Sequence, residues 1–196
     1  MAGVGSDKLV EIKFDERQLR RIELMLRGIP KALPQVISRA INRTASPAKT
    51  DISKEIREEI NATAKRVNER LILKKATYQN WVASIHISRR RLPLMAFGAK
   101  QTATGVSYQI KKGGGRKTIK SAFTATMMSG HEGVFKRKGE ARFPIAEKFG
   151  PSIGMVFESS ESLISRITAK ANEMLKHNID SQLDYVLSLG RLRKTA

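Results

Sequence analysis

The sequence contains no cysteine, which excludes a disulfide framework, cysteine-ligated zinc, iron–sulfur centres and thiol nucleophiles together. That absence suits a reducing cytoplasm without fixing a compartment. No run of about eighteen apolar residues occurs, and the first residues, MAGVGSDKLVEIKFDERQLR, lack the apolar stretch of a secretory signal. The expectation is a soluble protein with no membrane partner, made and assembled inside a cell. Acidic residues are scarce as well: 18 Asp plus Glu stand against 37 Lys plus Arg, giving a formal net charge of +19 and a pI near 10.6. So large an excess favours polyanionic company, whether nucleic acid, an acidic protein surface or anionic lipid. What is present suffices for a fold. With 196 residues, 40% hydrophobic and 6% aromatic, the chain has the length of one domain and the material for one core.

The charge is regional. Residues 1–60 carry 12 basic and 9 acidic side chains, residues 61–145 carry 18 and 3, and residues 146–196 carry 7 and 6. The flanks are balanced like ordinary solvated helices, so the middle needs its own explanation.

Val10, Ile12 and Phe14 alternate with Glu11 and Lys13, the period of a half-buried strand. Asp15, with Gln18 three residues on, predicts a capped helix carrying Leu19, Ile22 and Leu26 and ending at Gly28 and Pro30. From Lys31 a stripe through Leu33, Ile37, Ile41, Ala45, Ala48, Ile52, Ile56 and Ile60 predicts helix. Pro47 lies inside it, so the segment is either one kinked helix or two, the second capped by Ser46. Residues 63–74 read as a further short helix. Strands are expected at Trp81–Ile87, Val106–Ile110, within Thr118–Met128 and at Gly133–Lys138, with Gly113, Gly114 and Gly115 as a hairpin tip. A last helix opens at Ser159 and Ser160 and follows Leu163, Ile167, Ala171, Leu175, Ile179, Leu183 and Val186 to a stop at Gly190. The fold class is α+β: a small, mostly antiparallel sheet flanked by two long helices. It is laid out as one domain with a mainly helical part at 1–75, a basic β-rich part at 76–158, a C-terminal helix at 159–190 and a basic tail at 191–196.

Signs of catalysis are few. His86, His131 and His177 fall in different elements and share no metal-ligand spacing. Adjacent strand residues point to opposite faces, so His131 and Glu132 share a site only in a turn. Gly113-Gly114-Gly115-Arg116-Lys117 lacks the spacing of a phosphate-binding P-loop. Glu69, Glu132 and Glu140, the acids of the basic middle, are too scattered for a paired acid–base mechanism. No catalytic, metal or cofactor-binding residue is assigned, no cofactor is expected, and the protein is expected not to be an enzyme.

The cations are clustered. Arg89-Arg90-Arg91, Lys111-Lys112, Arg116-Lys117 with Lys120, and Lys136-Arg137-Lys138 are the candidate residues for facing a polyanion. Any one cluster could be a plain solvated surface; four in one acid-poor region favour an anionic partner. Aromatic residues for base stacking are sparse there, which points to phosphate-backbone contact rather than sequence readout.

Two stretches carry a family resemblance: Arg89–Thr102, RRRLPLMAFGAKQT, followed by Gly105-Val106, and Gly130–Phe157, GHEGVFKRKGEARFPIAEKFGPSIGMVF. Together with Arg39-Ala40-Ile41-Asn42-Arg43-Thr44 they resemble the minor tail protein Z family of tailed bacteriophages, over roughly residues 30–160. The resemblance implies a structural virion protein, a tail completion protein at the head-proximal end of the tail, needed for productive head–tail joining and for passage or positioning of the DNA end. It implies a ring-shaped homo-oligomer, with six subunits as the working number, that meets other tail or neck proteins such as the tail terminator or the tail tube, and the DNA end. Loops that set apolar groups beside backbone breakers, at Pro93, Phe97, Phe135, Phe143, Pro144, Phe149 and Pro151, are the candidate assembly interface. The plainer alternative is that they cap the sheet. A different class of function, a basic nucleic-acid-binding protein contacting the phosphate backbone without sequence specificity, rests on the charged middle alone. A phosphate-handling or nuclease enzyme rests only on the glycine-rich loop.

Overall fold

The computed structural model describes residues 8–27, 29 and 32–192. The expected helix stop at Gly28 and Pro30 and the tail at 193–196 lie outside the described residues. In chain order the elements are β1 (Lys8–Ile12), α1 (Glu16–Met25), α2 (Ala32–Glu59), α3 (Ala64–Asn68), β2 (Leu71–Lys74) and β3 (Ala83–Ile87). Then come β4 (Arg91–Pro93), a 3-10 turn at Leu94–Phe97, β5 (Lys100–Thr102), β6 (Gly105–Tyr108), β7 (Lys117–Lys120) and β8 (Ala122–Thr126). β9 (Glu132–Arg137), β10 (Ile145–Glu147), β11 (Phe149–Ser152), α4 (Ile153–Glu158) and α5 (Glu161–Leu192) complete the chain. The class is α+β, with a long helix toward each end.

The residues gather into two compact units. Leu9–Ile52, Ile72–His86 and the segment from Glu161 form a helical unit; Ser53–Leu71 and Ile87–Ser160 form a strand-rich unit.

In the helical unit the Asp15 carboxylate accepts from the Gln18 N–H at 2.8 Å while the Gln18 side chain accepts from the Asp15 N–H at 2.9 Å, closing the capping box that starts α1. The open question at Pro47 is settled in favour of one helix, since α2 runs unbroken through it. Ser46 is not a cap: its hydroxyl donates back to the Asn42 carbonyl at 3.3 Å. Pro47 withholds one N–H from the ladder, and the buried stripe of Val36, Ile37, Ala40, Ile41, Ala45 and Ala48 compensates. Two side-chain links tie α5 to α2. Asn178 donates to the Thr44 hydroxyl at 3.0 Å, and Lys170 pairs with Asp51 at 2.9 Å. Helix α5 is 32 residues long, about 48 Å. It does not stop at Gly190, because a single glycine costs a helix only about 1 kcal/mol relative to alanine. Strands β1, β3 and β2 form a three-stranded sheet in that order.

Residues 63–74 depart from expectation. Helix α3 ends at Asn68, and Leu71–Lys74 is strand β2. Leu71 is buried and Ile72 exposed, so the apolar run alternates with period two where a helix had been read.

In the strand-rich unit the pairing is antiparallel as expected, but distributed over small sheets: β5–β6–β7, β8–β9–β10 and the pair β4–β11. Such short strands need fixed turns. At the β5–β6 turn the Thr102 hydroxyl and the Gln101 amide both donate to the Gly105 carbonyl, at 2.9 and 3.0 Å, and Gln101 Oε1 accepts from the Thr124 N–H at 2.9 Å. Gly105 (φ 156°) lies so close to β7 that a Cβ there would overlap the Ile119 carbonyl oxygen. A Cβ at Gly150 would likewise overlap the ring of Phe97. Ser152, fully buried, caps the unforeseen helix α4 by accepting from the Met155 N–H at 3.1 Å. Ser159, expected to open α5, instead terminates α4. Phe97, Leu92, Val106, Val134, Ile153 and Phe157 make up much of the buried core of this unit.

Candidate functional site

All eleven candidate polyanion-facing residues fall in the strand-rich unit, and its segment 87–160 holds 14 basic against 4 acidic side chains. Three of the eleven have structural partners. Arg89 pairs with Glu158. Arg116 donates through one nitrogen to the carbonyls of Gly98 and Ser107, at 2.8 and 3.1 Å, and to the Ser107 hydroxyl at 3.0 Å. Arg137 stacks over the Phe123 ring, 5.3 Å from its centroid. The other eight, Arg90, Arg91, Lys111, Lys112, Lys117, Lys120, Lys136 and Lys138, have no hydrogen-bond or ion-pair partner for their side chains among the described residues. All of these are exposed except Lys136, which is half-buried.

Strand geometry divides what the sequence ran together. Lys117 stands opposite Tyr108 and Lys120 opposite Gly105, so the two lysines project from opposite faces of the sheet. Lys136 and Arg137 are parted in the same way on β9. Lys111 and Lys112 sit on the β6–β7 connection, whose shape is held by the Gln109 amide donating to the carbonyls of Lys112 and Gly114 at 3.0 and 2.8 Å. Gly113–Gly115 is therefore a hairpin connection, not a cradle opening a helix.

The candidate interface residues divide by burial. Phe97 is 0% and Phe135 6% exposed, and both are core residues of the strand-rich unit. Phe135 packs toward Phe123 with ring centroids 6.2 Å apart. Phe143 and Phe149, by contrast, are 64% and 47% exposed. Pro144 is exposed beside Phe143, while Pro93 and Pro151 are half-buried on the paired strands β4 and β11. Arg142 lies over the Phe143 ring at 5.8 Å. Of the candidate interface residues, Phe143, Pro144 and Phe149 are the exposed ones.

One pairing escaped the sequence. His131 faces not Glu132 but Glu147, with Nε2 2.8 Å from Oε1. Glu147 stands opposite Phe135 in the β9–β10 register, and a Cβ at Gly133 would press on both the Phe135 ring and Glu147. Of the Gly-His-Glu-Gly-Val-Phe run, Gly133, Val134 and Phe135 are buried in β9, while Gly130, His131 and Glu132 are exposed. The cue was available in the alternation of β9, but Glu147 lies sixteen residues from His131. His86, on β3, lies 3.4 Å from the Ser84 hydroxyl, and His177 lies on α5. Among the described residues no group of three or more His, Asp or Glu side chains is placed to hold a metal ion. Among them, too, no helix is long and apolar enough to cross a membrane.

The remaining signature residues hold backbone. Asn42 donates to the Ala76 carbonyl at 2.9 Å and accepts from the Ala76 N–H at 2.8 Å. Thr44, fully buried, donates to the Ala40 carbonyl at 3.0 Å. Gln101, Gly105, Gly150 and Ser152 act as described above. A family model described as prophage minor tail protein Z matches residues 24–189, a range that contains every one of these residues. Tail completion protein Z of Escherichia phage lambda is 35% identical over 77 residues, which cover 39% of this chain and 40% of that protein. The chain thus matches less than half the length of that relative. No solved structure matches. An α+β chain matched by this family model over most of its length is of the class of phage minor tail proteins. It belongs to the prophage minor tail protein Z family.

Proposed function

We propose that this protein completes the tail at its head-proximal end. In this reading it assembles as a ring of identical subunits, a hexamer as the working number, against the tail terminator or the tail tube, and makes the tail competent to join a head and to position the DNA end. The observation that carries the reading is the family match over residues 24–189, alongside the likeness to a protein named for tail completion. Two features of the surface support it. The exposed Phe143–Pro144 loop and Phe149 supply apolar anchors of the kind that dock subunits. The unpartnered cations of the strand-rich unit supply a surface for a polyanion, which in an assembled tail is the DNA end or an acidic neighbour. The protein acts by occupying a place in the particle, with no reaction and no cofactor.

Electron micrographs of tails made with and without the protein test this. Tails made without it should fail to join heads productively, and purified protein added back should restore joining. Tails that join heads and deliver DNA equally well without it would overturn the reading.

A further inference from the structure

The register of the β5–β6–β7 sheet sorts its side chains into two faces. Lys100 stands opposite Ser107 and Ser107 opposite Thr118; in the next row Thr102 stands opposite Gly105 and Gly105 opposite Lys120. Directly opposed residues share a face, so Lys100, Thr102, Ser107, Thr118 and Lys120 project from one side. The other side carries Gln101, Val106 and Ile119, with Tyr108 and the exposed Lys117 at its end. Val106 is fully buried there, and the Gln101 amide is engaged with Gly105 and Thr124. That face is covered at its centre, at Val106, whereas Lys100, Thr102, Thr118 and Lys120 of the first face are exposed. Arg116 adds a third cation at its border, held there by its bond to the Ser107 hydroxyl.

An exposed sheet face is ordinarily stabilised by opposite charges set across the strands. Here there is none to set: residues 70–131 contain neither Asp nor Glu. Lysine on an edge strand also discourages edge-to-edge pairing, which accounts for Lys100 and Lys120 one at a time. It does not account for the two lysines sharing one acid-free face with the exposed Thr118, or for the guanidinium anchored beside them.

We infer that this face binds the phosphodiester backbone of duplex DNA. The inference rests on the polyanion-facing role proposed above and assigns it to particular residues: Lys100, Lys120 and Thr118, with Arg116 at the border, while the Thr102 and Ser107 hydroxyls are bonded within the sheet. The chemistry selects the ligand. Protein–protein interfaces are depleted in lysine and serine and enriched in aromatics, methionine and arginine; of the enriched types this face has only Arg116, at its border. Single strands are held by stacking on aromatic rings, which it also lacks. Lysine ammonium groups and hydroxyl donors are the groups that contact phosphate oxygens, and with nothing to reach base edges the contact is independent of sequence.

The test is a salt titration of full-length protein with labelled duplexes of about thirty base pairs and two unrelated sequences. For the wild type, the logarithm of the binding constant should fall linearly with the logarithm of salt. The double variant Lys100→Gln, Lys120→Gln should bind both duplexes more weakly to the same degree, with a slope shallower by about 2, or about 1 for each lysine. A control pair in the helical unit, Lys13→Gln with Lys176→Gln, should leave the slope unchanged, and thermal unfolding should show every variant folded. An unchanged slope in the first double variant would overturn the inference. So would a wild-type protein that binds polyglutamate but not duplex DNA, which would make the partner an acidic protein. The two readings fail separately: a shallower slope together with tails that need no such protein would sink tail completion and keep the DNA face. An unchanged slope in a protein that tails require would do the reverse.

Discussion

Helix α5 of the helical unit runs 32 residues, and its buried positions Leu163, Ile167, Leu175, Ile179 and Leu183 recur at three- or four-residue steps or their multiples. Among the described residues of the strand-rich unit no strand exceeds the six residues of β9. A long stripe spreads its burial over many side chains, any one of which contributes a modest share. Short strands cannot do this. Their alignment depends on single residues with single tasks: Gln101 bonded to the β5–β6 turn and to β8, Gly105 against β7, Gly150 against Phe97, Ser152 capping α4. These pins lie within the stretches that carry the family resemblance, 89–106 and 130–157. A signature of this kind reports the fold first, and function must be sought on the side chains the fold leaves unused.

The sharpest test of the difference is Phe97→Ala. The ring is fully buried and abuts Gly150, so truncation removes its burial and leaves a cavity that a neighbouring glycine cannot fill. A loss of about 3 to 5 kcal/mol is expected in denaturant unfolding. A loss below about 1 kcal/mol would show that the strand-rich unit tolerates damage as a periodic helix does.

A smaller effect probes the opposite side of the comparison, because the helical unit has pins too, Asn42 among them. Asn42 satisfies both the N–H and the carbonyl of Ala76. Asn42→Ala should cost about 2 kcal/mol through the backbone groups left unpaired. Measured beside Ile41→Val, which deletes one methylene from the stripe and should cost about 1 kcal/mol, it separates the loss of a pin from the loss of packing in a single helix. Equal costs would erase the distinction.

The same contrast governs what could be read from the sequence. Helices α1, α2 and α5 were legible because their periodicity extends over several turns and Asp15 with Gln18 marks a start. Strand β2 was not, since Leu71-Ile72-Leu73 is an apolar run too short for period two to be told from period 3.6. Helix α4 was missed for the same reason, with only six residues between Ser152 and Ser159. Of the candidate surface, the positions of the cations were legible but their faces were not. Which face Lys117 and Lys120 occupy depends on pairing with Tyr108 and Gly105, and Arg116 is bonded to Gly98, eighteen residues away. Burial separated the phenylalanines in a way that composition could not. Phe97 and Phe143 both stand beside a backbone breaker, yet one is enclosed and the other 64% exposed.

That last pair gives the smallest expected change in stability and the most direct reading of assembly. Phe143 contacts the Arg142 guanidinium and otherwise faces solvent to a large extent, so Phe143→Ala should alter unfolding by no more than about 0.5 kcal/mol. If the Phe143–Pro144 loop docks the subunit, the same variant should still be severely impaired in incorporation into tails, because an apolar anchor contributes its burial only once a partner covers it. Phe97→Ala makes the contrast complete: its incorporation should fall in step with the unfolded fraction and recover at lower temperature, where more of the chain is folded. Normal incorporation of a stable Phe143→Ala protein would remove that loop from the interface and leave Phe149 as the next exposed candidate to test.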